Sequence, residues 1–406
     1  MPPYIHRPFL VLSAVAFLAH PRLASETDPP PTLEDVEALL QETDALLESL
    51  APAIEPEPVD EPGVIILGSL KAGFGYSSNY LNRHQPVSST FTHIEADALL
   101  NWGTGQFDLV GLFFAEALLY DHDLDPSSET MGFSQVKGVL HRGAFDYGLE
   151  LATMYGSMIY DSSLTTLSTP AGTRIQQFVP SVQIFVDWFT SGSDRFRIGL
   201  SPTRAEFNIE GQDYWDYALK AEWEHLWSGS IRSLTRLILS RQAYDDDLAR
   251  APNGDSLPGE IGLRVNRWSL EERLTLHPSS QPWLKLSLLA GLAMEEEEEG
   301  QHEALVQSWL GLGMTVTSRW GRFTATGRWG EYRYRDRVVL VETLDLQTVK
   351  SLSLEYERFL PLDLSLVVRA RWNSHTYRLE ENLPATLQDD DSYSERRAEV
   401  LLEWSY

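Results

Sequence analysis

Between Val64 and Tyr406, apolar and polar side chains alternate with a period of two in about sixteen runs, separated by turn-forming residues. That period places successive side chains on opposite faces of an extended strand. In the first run Leu70, Ala72, Phe74 and Tyr76 share one face, and Ser69, Lys71, Gly73, Gly75 and Ser77 share the other. Further along, Trp215, Tyr217, Leu219, Ala221, Trp223 and Trp227 alternate with Asp216, Lys220, Glu222 and Glu224. Phe323, Ala325, Gly327 and Trp329 alternate with Arg322, Thr324, Thr326 and Arg328. Leu366, Val368, Ala370 and Trp372 alternate with Arg369, Arg371 and Asn373. The runs exceed the usual soluble strand of about five to six residues. They suit a tilted membrane strand, which needs about nine to eleven. The apolar face is broad and rich in Trp and Tyr, as contact with lipid requires; a soluble sandwich would turn its polar face outward instead. The pattern predicts an all-β, transmembrane antiparallel β-barrel of about sixteen strands over residues 64–406.

The connections have the asymmetry of such a barrel. Short turns are expected near Gly103-Thr104-Gly105, Arg142-Gly143, Ser191-Gly192-Ser193, Ser228-Gly229-Ser230, Pro278-Ser279-Ser280, Arg319-Trp320-Gly321 and Pro361-Leu362. The alternate connections are longer and more acidic, near 78–87, 121–130, 161–171, 208–213, 246–257, 295–300, 337–345 and 380–390. Short turns belong on the periplasmic side and long loops outside. Trp102, Trp188, Trp227, Trp283, Trp320 and Trp404 all fall near short-turn ends, where they are candidates for an aromatic girdle.

Ahead of the barrel, residues 1–25 carry Arg7, an apolar run from Phe9 to Ala19 and the small residues Ala24 and Ser25, the pattern of a secretory signal peptide. Within 26–63, Thr32 to Leu50 reads as a helix capped by Thr32, with Leu33, Val36, Leu40, Leu47 and Leu50 along one stripe. It could oligomerise the protein, lie against the barrel or enter its lumen. Ala51 to Gly63 is a stiff Pro- and acid-rich tether.

The formal net charge of -27 makes nucleic acid a poor partner. The absence of Cys excludes disulfides and thiolate chemistry. Acid is concentrated in Asp245-Asp246-Asp247, Glu295 to Glu299 and Asp389-Asp390-Asp391, read as solvated outer loops. Those runs have hard oxygen ligands for weak divalent-cation binding but no calcium-loop spacing. Otherwise no cofactor or metal is expected. His122 among Asp121, Asp123 and Asp125 is read as a solvated loop.

In the last run, Val400, Leu402, Trp404 and Tyr406 point one way and the chain ends on an aromatic. This resembles the C-terminal signal that the barrel assembly machinery reads on bacterial outer-membrane barrels. With the leader-like segment and the sixteen-strand alternation, residues 64–406 resemble the bacterial outer-membrane β-barrel class, porin-like in form. The opening stretch Lys71 to Tyr80, with Gly75-Tyr76-Ser77-Ser78-Asn79, resembles that of poorly characterised β-barrel porin families. The resemblance implies residence in the cell outer membrane of a Gram-negative bacterium, lipid contact and a transport role; a homo-oligomer is left open.

The candidate pore-lining residues are Lys71, Arg195, Arg197, Asp216, Lys220, Glu222, Arg322, Arg328, Glu355, Arg369, Arg371, Arg397, Glu399 and Glu403. Arg369 and Arg371, with Arg322 and Arg328 two strands away, could form a basic wall that selects solutes. Alternatively, the charges pair across neighbouring strands and fill a polar interior. No nucleophile elbow, zinc-protease helix motif, phosphate loop or dinucleotide fingerprint occurs, so an enzyme is not expected. The expected function is a porin-like channel for small polar solutes. The alternatives are a barrel exporting a polysaccharide or other polymer, and a structural or adhesive barrel with a blocked lumen.

Overall fold

The computed structural model describes residues 63–80, 86–121, 127–161, 172–208, 212–248, 262–298, 305–334, 338–339, 342–379 and 393–405. The leader-like segment, the helix expected at 32–50, tether residues 51–62, His122, Asp389 to Asp391 and Tyr406 lie outside them, while Gly63, the last tether residue, already begins the first strand. The strands are β1 (Gly63–Ser77), β2 (Ser89–Gly103), β3 (Phe107–Tyr120), β4 (Ser128–Arg142), β5 (Phe145–Asp161), β6 (Gly172–Ser191), β7 (Asp194–Phe207), β8 (Tyr214–Ser228) and β9 (Ile231–Leu248). They continue with β10 (Gly262–Leu276), β11 (Leu284–Glu297), β12 (Leu305–Ser318), β13 (Gly321–Tyr334), β14 (Val338–Val339), β15 (Glu342–Leu360), β16 (Leu364–Leu379) and β17 (Tyr393–Ser405).

Each long strand pairs antiparallel with its sequence neighbours. β13 pairs directly with β15, while the two-residue β14 only folds back on the start of β15. β1 pairs with both β2 and β17, so sixteen long strands close into a cylinder. Closure removes the free edge that hydrocarbon could not satisfy.

Side-chain direction follows the predicted period. Leu70, Phe74 and Tyr76 are exposed on β1, Ile198 and Leu200 on β7, Tyr217 and Leu219 on β8, and Val400 and Leu402 on β17. All point away from the barrel axis, making an apolar exterior with the polar set inside. A closed sheet with this exterior is a transmembrane barrel of the outer-membrane kind, and the chain is placed in that membrane.

The seven short turns fall where expected; the turn between β4 and β5 uses Gly143 at φ 63°. The last turn holds Leu362 and Asp363 at φ 66° and 55°, a conformation unfavourable for side chains bearing Cβ. The six girdle candidates Trp102, Trp188, Trp227, Trp283, Trp320 and Trp404 are exposed at this end.

Two acidic runs are not wholly in loops. Asp245 to Asp247 lie in the last residues of β9, whose pairing with β10 resumes at Leu248 after a register shift, and Glu295 to Glu297 end β11 in continuous pairing with β10. Asp245 turns outward and pairs with Arg204 at 2.6 Å. Glu295 turns inward, is buried, and meets Arg267 at 3.1 Å.

Candidate functional site in the barrel interior

Strand parity directs all fourteen candidate residues inward, but it does not give them equal environments. The densest group lies where the first and last strands meet. Inward positions on β1 include Gly73 and Gly75, which face His93 and Phe91 of β2 and Leu401 and Glu399 of β17. With no side chain at these positions, groups from the flanking strands reach over β1. His93 Nδ1 lies 2.6 Å from Glu399, and its Nε2 lies 2.9 Å from Glu116 of β3. Arg369 of β16 meets Glu355 at 2.6 Å and, three strands away, Glu95 at 2.7 Å. Glu95 also holds Lys71. Arg397 pairs with Glu395 at 3.1 Å and donates to the Tyr120 hydroxyl. Glu395 in turn accepts from the Ser77 hydroxyl at 2.8 Å.

Arg369 and Glu399 therefore face inward yet are buried among partners. Removing such charges from water is costly, so they persist because each is matched. Near this seam, cross-strand pairing describes the interior better than a bare basic wall does. Arg371 also faces inward on β16, and Glu403 on β17.

A second group spans β6 to β9. Arg197 makes a two-point contact with Asp187 at 2.7 and 2.8 Å and lies 3.8 Å from Glu222. Glu222 accepts from Arg236 at 3.0 Å. Arg195 and Arg232 share Glu224. Lys220, at mid-strand, donates to the side-chain carbonyl of Gln183 at 3.5 Å. Asp216 faces inward nearer the outer end. Arg322 pairs with Glu357 at 3.0 Å near the short-turn end, away from both groups.

One device recurs three times on the inner wall. Gly75 faces Phe91, Gly148 faces Phe185 and Gly291 faces Trp309, and each ring lies flat where the glycine Cβ would be. A cation covers each ring: Arg397 at 5.5 Å from Phe91, Arg197 at 4.1 Å from Phe185, and Arg328 at 5.7 Å from Trp309. The rings shield backbone that a strand glycine leaves open and fix the direction of the guanidinium groups.

Periodicity did not reveal an apolar row on this wall. Phe114 faces Phe133, Phe133 faces Met154, and Met154 faces Val179. Ala205 faces Tyr214, which faces Tyr244, and Leu263 and Val265 of β10 complete one packed cluster. Because barrel strands tilt, a row of facing residues climbs the wall. This one rises from mid-β3 to the outer end of β8. Runs such as Phe113-Phe114 are apolar on both faces, so alternation hides their inward member. His93, Glu95 and Glu116 were also missed; the sequence signal was the succession His93, Glu95 and Asp97 on alternate positions of β2, with Glu116 opposite Glu95 on β3.

Among the described residues, no group of three or more His, Asp or Glu is arranged to hold a metal ion.

No protein-family model matches the chain, and neither does any curated protein. Solved structures of similar shape include an anion-selective porin from Comamonas acidovorans, at 12% identity and TM-score 0.42, covering 85% of this chain and 100% of that one. The outer-membrane protein OmpT of Vibrio cholerae, in its trimer form, has 9% identity and TM-score 0.44, covering 86% and 100%. OccAB3 of Acinetobacter baumannii has 10% identity and TM-score 0.39, covering 84% and 99%. At these scores the likenesses add nothing to what the strands themselves establish.

Proposed function

We propose that the barrel is an outer-membrane channel for the passive passage of small polar solutes. The observation that carries this reading is a charged, hydrogen-bonding interior inside a cylinder of sixteen long strands with an apolar exterior. A barrel of that strand number is wide enough for an aqueous path. Lys220, mid-strand and with no carboxylate within ion-pair distance among the described residues, is a candidate cation placed to act on a passing ion. The reading treats the lumen as a conduit and not a catalytic site. In support, both ring nitrogens of the buried His93 are engaged by carboxylates of the wall. The apolar final strand, which closes on β1, is the part offered to the assembly machinery.

Single-channel recording in planar bilayers tests the proposal. Stable ohmic steps on the order of a nanosiemens are expected for a pore of this width. Electrical silence from protein that is fully β-structured and heat-modifiable in detergent would refute the channel.

A further inference from the structure

On the outer surface near the long-loop end, cations are matched on one side of the barrel and unmatched on another. Arg204 of β7 meets Asp245 at 2.6 Å, and Arg241 of β9 and Arg264 of β10 share Glu298. Lys350 of β15 and Arg396 of β17 also point outward, since they face the lipid-side residues Trp329 and Trp372, and both are exposed. Neither has a carboxylate within ion-pair distance among the described residues. Ser374 of β16 faces Lys350 on one side and Ser394 of β17 on the other, so two hydroxyl-bearing residues share the outer face with the cations.

Height places these cations at the edge of the apolar band. Arg396 lies eight residues from the girdle residue Trp404 on β17, and Lys350 lies ten from Leu360 at the inner end of β15. At about 3.3 Å per residue and a tilt near 40°, those spans rise roughly 20 and 25 Å, against a band about 25 Å tall. Toward mid-membrane from Arg396 the surface is grooved. Ala370 of β16 and Ala398 of β17 face each other and make a low floor. Tyr76 of β1 stands on one side, Leu352 and Leu354 of β15 stand on the other, and Trp372 flanks the outer end beside Arg396. The groove holds about 290 Å³ and opens toward lipid.

We infer that this patch binds one phosphorylated lipid of the outer leaflet, with a hydrocarbon tail on the two alanines and the phosphate between Arg396 and Lys350. β15 and β17 are two strands apart, about 10 Å, a gap that two long side chains close around one headgroup. The Arg fork takes two phosphate oxygens, and the Lys adds a further charge-assisted bond. Ser374 and Ser394 supply hydroxyl donors between them. Charge decides the class of ligand. A cation at the hydrocarbon edge needs water or an anion. The chain, at a net charge of -27, gives carboxylates to Arg204, Arg241 and Arg264 and none to this pair. The groove then selects a lipid over a soluble anion, because only a lipid carries a tail to fill it. Tyr76 and Trp372 suit the headgroup boundary, where amphipathic rings gather.

Native mass spectrometry of the full chain, folded in detergent and titrated with diphosphoryl lipid A, tests the site. The parent chain should retain one lipid at low excess. Combining Lys350→Gln with Arg396→Gln should cut the retained fraction at least about tenfold, since each cation near the headgroups contributes separately. Ala398→Phe, which fills the groove and leaves both charges, should cut it about threefold or more. Ala370→Leu is the milder form of the same test. Arg241→Gln, on a distant strand and already held by Glu298, should leave retention unchanged. Heat-modifiable gel mobility verifies that each variant is folded. Equal retention by the double variant and the parent, or an equal loss in Arg241→Gln, would overturn the site. Retention indifferent to both groove-filling changes would overturn the tail groove, and the lipid assignment with it. The measurement needs no ion flow, so the site survives or fails independently of the channel.

Discussion

His93 of β2 and Glu399 of β17 meet at 2.6 Å although β1 lies between them. The contact exists because Gly73 and Gly75 leave the inner face of β1 low, so its neighbours close over it. The seam between the first and last strands is thus held twice, by the backbone ladder and by a side-chain bridge above it. The long side chains of Arg369 and Glu95, three strands apart, also meet over it, at 2.7 Å.

Replacing Gly73 or Gly75 should weaken closure. A Cβ at Gly73 would overlap the Val400 carbonyl, and one at Gly75 the Phe91 ring. Forcing atoms into a packed site costs about 1–3 kcal/mol or more. Gly73→Val should be worse than Gly75→Ala, since backbone yields less than a ring. Heat-modifiable gel mobility and urea unfolding of the refolded barrel measure the difference, and equal behaviour of both variants to the parent chain would refute the bridge geometry.

Arg369→Met should be more damaging than the double change Arg369→Met with Glu95→Gln. The single change leaves the buried Glu95 with Lys71 alone and takes the cation from the half-buried Glu355, and breaking a buried pair costs up to about 3–5 kcal/mol. Removing the Glu95 charge restores part of that. A double-mutant cycle by urea denaturation gives the coupling; strict additivity would show that the two groups do not interact.

Glu272 points outward on β10, third of the five positions Trp268, Leu270, Glu272, Leu274 and Leu276, and is held by the Thr235 hydroxyl of β9. A carboxylate amid an apolar belt is unfavourable, although less so than Lys or Arg, whose cost at mid-membrane is about 2–4 kcal/mol. Glu272→Leu should therefore raise stability in lipid vesicles. A loss of stability instead would indicate that a second chain covers this face, and chemical crosslinking in vesicles would then detect the oligomer.

Lys220→Glu should shift ion selectivity toward cations while leaving the fold intact, because its hydrogen-bond partner is the neutral Gln183 rather than a buried carboxylate. Reversal potential across a salt gradient reads the change. An unaltered potential in a conducting variant would place the ion path away from β8.

The β-barrel, its approximate strand number, the face of each side chain in the clearly alternating runs and the asymmetry of turns and loops were legible along the chain. Each is a local property: a period of two fixes the face, and Gly, Pro and Ser mark the turns. Which inward charges meet was not legible. Arg369 and Glu95 are 274 residues apart, and their contact depends on closure bringing β16 and β2 to either side of β17 and the glycine-bearing β1. The apolar row was hidden for a related reason. Its members come from eight strands, and only the register of each pair and the tilt of the whole sheet bring Phe114, Met154 and Tyr244 into one line. Periodicity decides whether a side chain faces lipid or lumen; tertiary structure alone decides its height on the wall and what it meets there, because closure and stagger are properties of the complete cylinder.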